Sequence, residues 1–358
     1  MVYKVIGTMS GSSLDGLDIA YVHLHETGGK WEYEIIAAEC FSYSSEWKEE
    51  LSSAVNSSAI NYQLLHSRYG EYIGQQVNRF IETNHLQHKV DLVASHGHTV
   101  FHQPKFKMTA QLGNGAAIAA QTHLPVVSDL REVDIAFGGQ GAPIVPIGEK
   151  LLLKEYNCFL NLGGIANISL QQKNTFIAYD VCPANRILNM LEKEINMEFD
   201  DGGKIAASGK INQPLLQKLN SLEYYGEGYP KSLDNSFGTD IIFPLIKEAA
   251  ISVEDSLGTF TEHICIQINN ALNEQHLKLL VTGGGAFNYF LIKRLKELTS
   301  SKGIEIILPG ANLIKYKEAL IMALIGTLRW REETNVFASV TGASQNSIGG
   351  ALWLGVES

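Results

Sequence analysis

One run near the start of the chain, Gly7-Thr8-Met9-Ser10-Gly11-Ser12-Ser13-Leu14-Asp15-Gly16-Leu17-Asp18, brings glycines, hydroxyls and carboxylates together between two apolar stretches. Glycine lets the backbone approach a ligand closely, and successive N–H groups with serine hydroxyls make a cradle for phosphate oxygens. Asp15 and Asp18 add the hard oxygen donors that a Mg²⁺ ion takes. The same composition also suits a polar hairpin loop. Two other phosphate or acyl chemistries are excluded: no G-x-x-x-x-G-K-[ST] and no G-x-S-x-G occurs anywhere in the chain.

Later stretches repeat the theme. Asn161-Leu162-Gly163-Gly164-Ile165-Ala166-Asn167 is a second glycine turn between apolar runs, and Thr282-Gly283-Gly284-Gly285 follows a third. Opposed glycine turns on one phosphate chain suit phosphoryl transfer, where positioning and charge stabilisation dominate. The triple glycine admits a flat group such as adenosine, and close packing explains it nearly as well. Asp180, in Tyr179-Asp180-Val181-Cys182-Pro183-Ala184-Asn185, reads as either a helix N-cap or a desolvated carboxylate base. His96-Gly97-His98 offers two imidazoles that share a face if the segment is a regular strand, as a metal pair or as sugar-binding groups. No protein-held metal site is assigned to them. Arg131, in the glycine-rich stretch Asp129–Pro143, is placed to pair with a substrate carboxylate.

The elements that must carry these residues are short strands and amphipathic helices. Apolar runs predict strands over Val2–Thr8, Gly16–His25, Tyr33–Phe41, Val90–Ala94 and Thr99–His102. Leu65, Tyr69, Ile73, Val77 and Phe80 recur at helical spacing and predict a core-facing helix over Asn61–Asn84. The second half repeats the order: strands over Cys158–Leu162, Ile165–Leu170 and Thr175–Tyr179, a helix after Pro183, further helices, then a strand over Leu279–Thr282. Strand, glycine turn, strand, strand and helices, twice over, predict a duplicated α/β architecture of two lobes with a ligand cleft between them. The expected lobes are residues 1–128 with about 337–358, and residues 129–336.

A chain of 358 residues with 45% apolar and 18% charged residues is globular and long enough for two cores. The net charge of −10 argues against nucleic-acid binding. No signal-peptide pattern and no long apolar run occur, so a cytoplasmic protein without a membrane span is expected. Cys40, Cys158, Cys182 and Cys265 are too scattered for a disulfide frame or a zinc knuckle.

Taken in order, these stretches resemble the anhydro-N-acetylmuramic acid kinase family from Gly7 to about Trp353. The G-x-M-S-G-[TS]-S-L-D-G-x-D signature falls on Gly7–Asp18, H-G-x-T-V on His96–Val100, and D-I-A-x-G-G-Q-G-A-P on Asp134–Pro143. N-[IL]-G-G-I-A-N falls on Asn161–Asn167, G-G-G on Gly283–Gly285, E-A-L-x-x-A on Glu318–Ala323, and S-V-T-G-A-S on Ser339–Ser344. The resemblance implies an actin-like ATPase fold of duplicated ribonuclease-H-like lobes. The implied activity is ATP-dependent, hydrolytic opening of 1,6-anhydro-N-acetylmuramate with phosphorylation of O6, in peptidoglycan recycling. Mg²⁺ as the companion of ATP and a homodimer are implied with it.

On that resemblance Asp180 is the base and Glu318 its partner in orienting the sugar. ATP and its phosphates fall to Gly11, Ser12, Ser13, Leu14, Asp15, Gly16, Leu17 and Asp18, with Gly163, Gly164, Gly283, Gly284 and Gly285. The sugar falls to His98, Arg131, Asp134, Gly139, Asn167, Asn185 and Lys231. Two blocks depart from the family pattern. Val181, Cys182 and Ala184 stand where a hydroxyl and two glycines are usual, with Asn189 in a usually acidic place, and the stretch Pro230–Ser236 lacks the usual arginine and glutamate. A related amino-sugar substrate, a non-catalytic actin-like scaffold, and a histidine-based metal hydrolase are the alternatives.

Overall fold

A computed structural model describes residues 1–172, 175–229, 231–234 and 236–355. Pro230 and Asn235, in one of the departing blocks, lie outside the described residues. The chain divides into two compact units, Met1–Lys154 with the stretch from Tyr316 onward, and Glu155–Lys315. The sequence reading placed the divisions near 128 and 337 instead. The glycine–proline stretch after Ser128 and Glu318 thus belong to the first unit, together with Arg131, Asp134 and Gly139.

The first unit is built on β1 (Val2–Ser10), β2 (Gly16–Thr27), β3 (Lys30–Ser42), β4 (Leu92–Gln103), β5 (Met108–Leu112), β6 (Val126–Ser128) and β12 (Ala351–Trp353). They form one sheet in the order β12-β6-β4-β1-β2-β3, with β5 paired to β4. β1, β2 and β3 are antiparallel, whereas β4 runs parallel to β1 and β6 parallel to β4. The helix α2 (Ala59–Thr83) buries Leu65, Tyr69, Ile73, Val77 and Phe80, the stripe expected from spacing, in a core with Ile6, Leu17, Ile19 and Val93. Ser58 accepts from the Asn61 N–H and caps its start.

The second unit holds β7 (Cys158–Leu162), β8 (Ile165–Gln172), β9 (Thr175–Pro183), β10 (Lys278–Thr282) and β11 (Glu305–Ile307). Their order is β11-β10-β7-β8-β9, again with three antiparallel strands first and two parallel strands beyond. Both sheets therefore share one ribonuclease-H-like pattern, the third, second, first and fourth strands in sequence followed by one more parallel strand; the first sheet adds β5 on β4 and β12 at its edge. This duplication, absent as residue identity, is the actin-like arrangement. The core of the second unit is made by Leu160, Ile168, Leu188, Phe260, Ile264 and Val281, with the helix α10 (Val253–Ala271) as its largest single contributor of helix residues.

Two helices hold candidate site residues, one set in each unit. α6 (Asn185–Lys193) follows β9, and its first N–H groups donate to the carbonyls of the Gly163–Gly164 turn: Ala184 and Arg186 to Gly164, Asn185 to Gly163. α12 (Ala311–Trp330) is interrupted at Tyr316, where φ is −116° and ψ 17°. Beyond the break it lies directly against β1. A Cβ on Gly7 would sit 1.9 Å from the Ala319 carbonyl oxygen. The first glycine of the opening signature is thus a packing residue that admits α12.

Candidate active site

In the first unit, residues 11–15 join β1 to β2 as the tight connection expected. Leu14 takes φ 57° and its N–H returns to the Gly11 carbonyl. The N–H groups of Ser12 and Ser13 have no backbone partner among the described residues. Both serines are exposed, and nothing but the Ser13 hydroxyl lies near Gly11. These N–H groups are open to a ligand. The other end of the stretch behaves differently. Leu17 is wholly buried core, and Gly16 is required because a Cβ would sit 2.5 Å from the Phe41 carbonyl. The open part of the loop is therefore Gly11–Asp15, with Asp18 beyond it.

Asp18 is half-buried, and burial lifts its carboxyl to about 6. Cys40, across the strand pair, opposes the shift by hydrogen bonding, while Glu318 and Asp15 add to it. Glu318 is also raised by burial, against the pull of Lys317 and Arg131. Lys317 itself is committed to a buried ion pair with Glu149 at 2.9 Å. Neighbouring carboxylates and a free backbone cradle form an oxygen-rich set that fits a magnesium–phosphate ligand.

His96 and His98 lie inside a single β4, which joins the two strands expected over Val90–Ala94 and Thr99–His102. Gly97 takes φ 71°, and the register slips between Thr8 and Ser10 on the neighbouring strand. A side chain is impossible there, since its Cβ would meet the Leu112 carbonyl at 2.2 Å. This irregularity removes the simple shared face expected for residues two apart. His96 instead hydrogen-bonds Gly97 O through Nδ1 at 3.0 Å and accepts from Arg131 Nε at 2.9 Å. Burial, first, and the Arg131 charge hold it at about 3, so it is neutral. Both its nitrogens are engaged, which leaves none for a metal. His98 is likewise held near 4 by burial and meets the Ser10 hydroxyl at 3.0 Å. Ser10 accepts from Tyr43, whose hydroxyl also meets that of Tyr69 at 2.5 Å. Among the described residues a close His/Cys/Asp/Glu group occurs elsewhere, at His23, His25 and Glu34.

Arg131 uses Nε on His96 and keeps its terminal NH₂ groups free of hydrogen bonds among the described residues. Burial lowers it to about 10, so it stays charged at neutral pH. Asp134 is placed differently from the expectation of a sugar contact. It is 1% exposed, and its two oxygens accept from the Gly141 N–H and the Thr341 hydroxyl, both at 2.7 Å. A Cβ on Gly139 would lie 2.2 Å from Asp134 Oδ2. Asp134 and Gly139 shape this loop from inside, and Thr341 explains why the Ser339–Ser344 block belongs with it.

In the second unit, neither Gly163 nor Gly164 has a backbone partner for its N–H among the described residues, although both carbonyls are used by the start of α6. Nothing lies closer than 3.5 Å to a Cβ at either position. Gly283 and Gly285 are packing residues, with Asn161 Oδ1 and Leu162 at 2.5 and 2.7 Å from their Cβ positions; Gly284 is the open one. A 3-10 turn over Gly284–Phe287 separates these glycines from the next helix, which Asn288 caps.

Asp180 sits within β9, paired to Asn167, and is not a helix N-cap. The strand simply continues past Tyr179 to Pro183. Asp180 Oδ2 accepts from the Leu233 N–H at 2.9 Å, and the Tyr224 hydroxyl donates to its carbonyl at 2.5 Å. Burial raises its carboxyl against the Leu233 hydrogen bond. Lys231 is bound to the Tyr224 carbonyl at 3.1 Å and lies 4.4 Å above that ring. Asn185 donates to the Leu162 carbonyl at 2.9 Å, tying α6 to the glycine turn. Val181, Cys182 and Ala184, the departing residues, are buried core side chains.

Sequence reasoning missed Ser10's partners Tyr43 and Tyr69, the Leu233 and Tyr224 clamp on Asp180, and Thr341. Each is supplied by a contact distant along the chain, and no local pattern marks it.

Two sheets that share one core strand pattern, each with a glycine turn whose N–H groups lack backbone partners among the described residues, define a protein of the actin-like fold class. Comparison narrows it. The family model for anhydro-N-acetylmuramic acid kinase matches residues 3–355. A kinase of that name from Francisella tularensis subsp. novicida is 32% identical, covering 97% of each chain, as is one from Hydrogenovibrio crunogenus. One from Aliivibrio fischeri is 34% identical over 82% of this chain and 83% of its own. The chain belongs to the anhydro-N-acetylmuramic acid kinase family, transferases that phosphorylate an alcohol group. The resemblance read from the motifs stands.

Proposed function

We propose that the chain opens 1,6-anhydro-N-acetylmuramate with water and phosphorylates the freed O6 from ATP, with Asp180 as the base. The observation that carries the role of Asp180 is its clamped, burial-raised carboxylate, fixed by Leu233 and backed by Tyr224. In the reaction Asp180 takes a proton from water as the water oxygen bonds to C1. The C1–O6 bond breaks, O6 bonds to the γ-phosphorus, and ADP leaves. A carboxylate whose pKa is raised by burial takes a proton more readily than an ordinary one.

Gly11–Asp15 and the Gly163–Gly164 turn would supply backbone donors to the phosphates, and Gly284 room for the adenosine. Asp15 and Asp18 are the oxygen donors that would hold Mg²⁺, whose chemistry is to neutralise phosphate charge. Arg131 and His98 would contact the sugar with Asn167 and Lys231. Glu318, near Arg131 and Asp18, would orient it. Cytoplasmic placement and a homodimer come with the family reading; four cysteines outside any disulfide, three of them buried, agree with a reducing compartment.

The test is turnover in ¹⁸O-labelled water. One labelled oxygen should appear in the sugar product, at C1, for each ADP released. Sugar phosphorylation without label would overturn hydrolytic opening, and ADP release indifferent to sugar would favour the scaffold reading.

A further inference from the structure

Arg186 was not among the residues singled out by sequence, yet it is an unexplained cation of the second unit. It is the second residue of α6, half-buried, and its backbone N–H donates to the Gly164 carbonyl. Its Nε is buried and has no hydrogen-bond partner among the described residues. A guanidinium N–H left in that state costs roughly 1–3 kcal/mol, so a folded protein keeps it for a reason. The side chain lies against the glycine turn: a Cβ on Gly164 would be 3.7 Å from Arg186 Cβ and 3.9 Å from Nε. Asp234 is close enough for the guanidinium to help lower its carboxyl, after the larger effect of the Ser236 N–H that it accepts. Asp234 is the neighbour of Leu233, the residue that clamps Asp180.

We propose that Arg186 is a phosphate-holding residue of the kinase site, completing the Gly163–Gly164 turn with a charged, forked donor. The turn offers two unpartnered backbone N–H groups and no charge of its own; Arg186 brings a fixed positive charge beside them. Guanidinium geometry matches phosphate oxygens with two parallel bonds, and stabilising phosphoryl charge is the main demand of this transfer. Open space at Gly164 gives the anion a place, and the idle Nε gives it a donor. The inference rests on the kinase reading but concerns nucleotide phosphate alone.

The experiment measures binding of ATP and of adenosine to wild type, Arg186→Gln and Arg186→Lys by calorimetry without sugar, alongside thermal melts and ADP release at varied 1,6-anhydro-N-acetylmuramate. Arg186→Gln should weaken ATP about tenfold to a hundredfold, the worth of a charge-assisted bond, and leave adenosine unchanged. Arg186→Lys should recover part of the loss because it keeps the charge. Equal ATP affinity in a folded Gln variant would overturn the proposal. So would equal loss of ATP and adenosine, which marks a structural role, or a rise in sugar KM alone, which marks a sugar carboxylate as the anion. Wild type that binds ATP but ignores the sugar would sink the kinase reading while leaving the Arg186 arms readable.

Discussion

At the scale of residues, burial decides which carboxylates are reactive. Asp134 looked like a sugar ligand by its place in a glycine loop, but its hydrogen bonds to Gly141 and Thr341 occupy it. Asp18 and Asp180 are raised because burial is not balanced by a fixed cation. Asp18 allows a check of sign. Its carboxyl ionises near 3.8 in the unfolded chain and near 6 when folded. The folded state therefore binds the proton more tightly, and above pH 6 the charged group opposes folding. Asp18→Asn should stabilise the nucleotide-free, Mg²⁺-free protein by about 1–2 kcal/mol at pH 7.5, discounted for partial exposure. The gain should fade as pH falls from 6 to 4. Urea unfolding across that range checks it; a gain independent of pH would show that Asp18 carries no such penalty.

At the scale of elements, periodicity and glycine content told different amounts. The buried stripe of α2 and the strands β1–β3 were legible because each pattern is local. The single β4 was not, since Gly97 reads as a break and only the Leu112 carbonyl reveals why a glycine continues the strand. Gly7 is the converse case, a signature residue whose need comes from Ala319, far along the chain. Gly7→Ala should force α12 away from β1, costing about 3 kcal/mol or more, toward the upper end for overpacking. Activity should fall with it, because Glu318 rides on α12. Denaturant unfolding with kinetics on the folded fraction tests this. Unchanged stability would mean that the helix yields without cost.

At the scale of the whole molecule, the repeated strand order was legible as a rhythm of strands, glycine turns and helices, and the two sheets share five strands of it, with β5 and β12 added in the first. The unit boundaries were not, because the glycine–proline stretch reads as a linker and only packing assigns it to the first unit. Motifs located the glycine turns and Asp180; the groups that hold Asp180 in place come from Tyr224 and Leu233, beyond any local pattern. The most direct test of the account is sugar-dependent ADP release by wild type and Asp180→Asn, with ATP affinity measured in parallel. Wild type should release ADP only with 1,6-anhydro-N-acetylmuramate, and the variant should lose about a hundredfold or more in turnover while binding ATP almost normally. Undiminished turnover in the variant would contradict the account, because the clamped carboxylate would then not be the base.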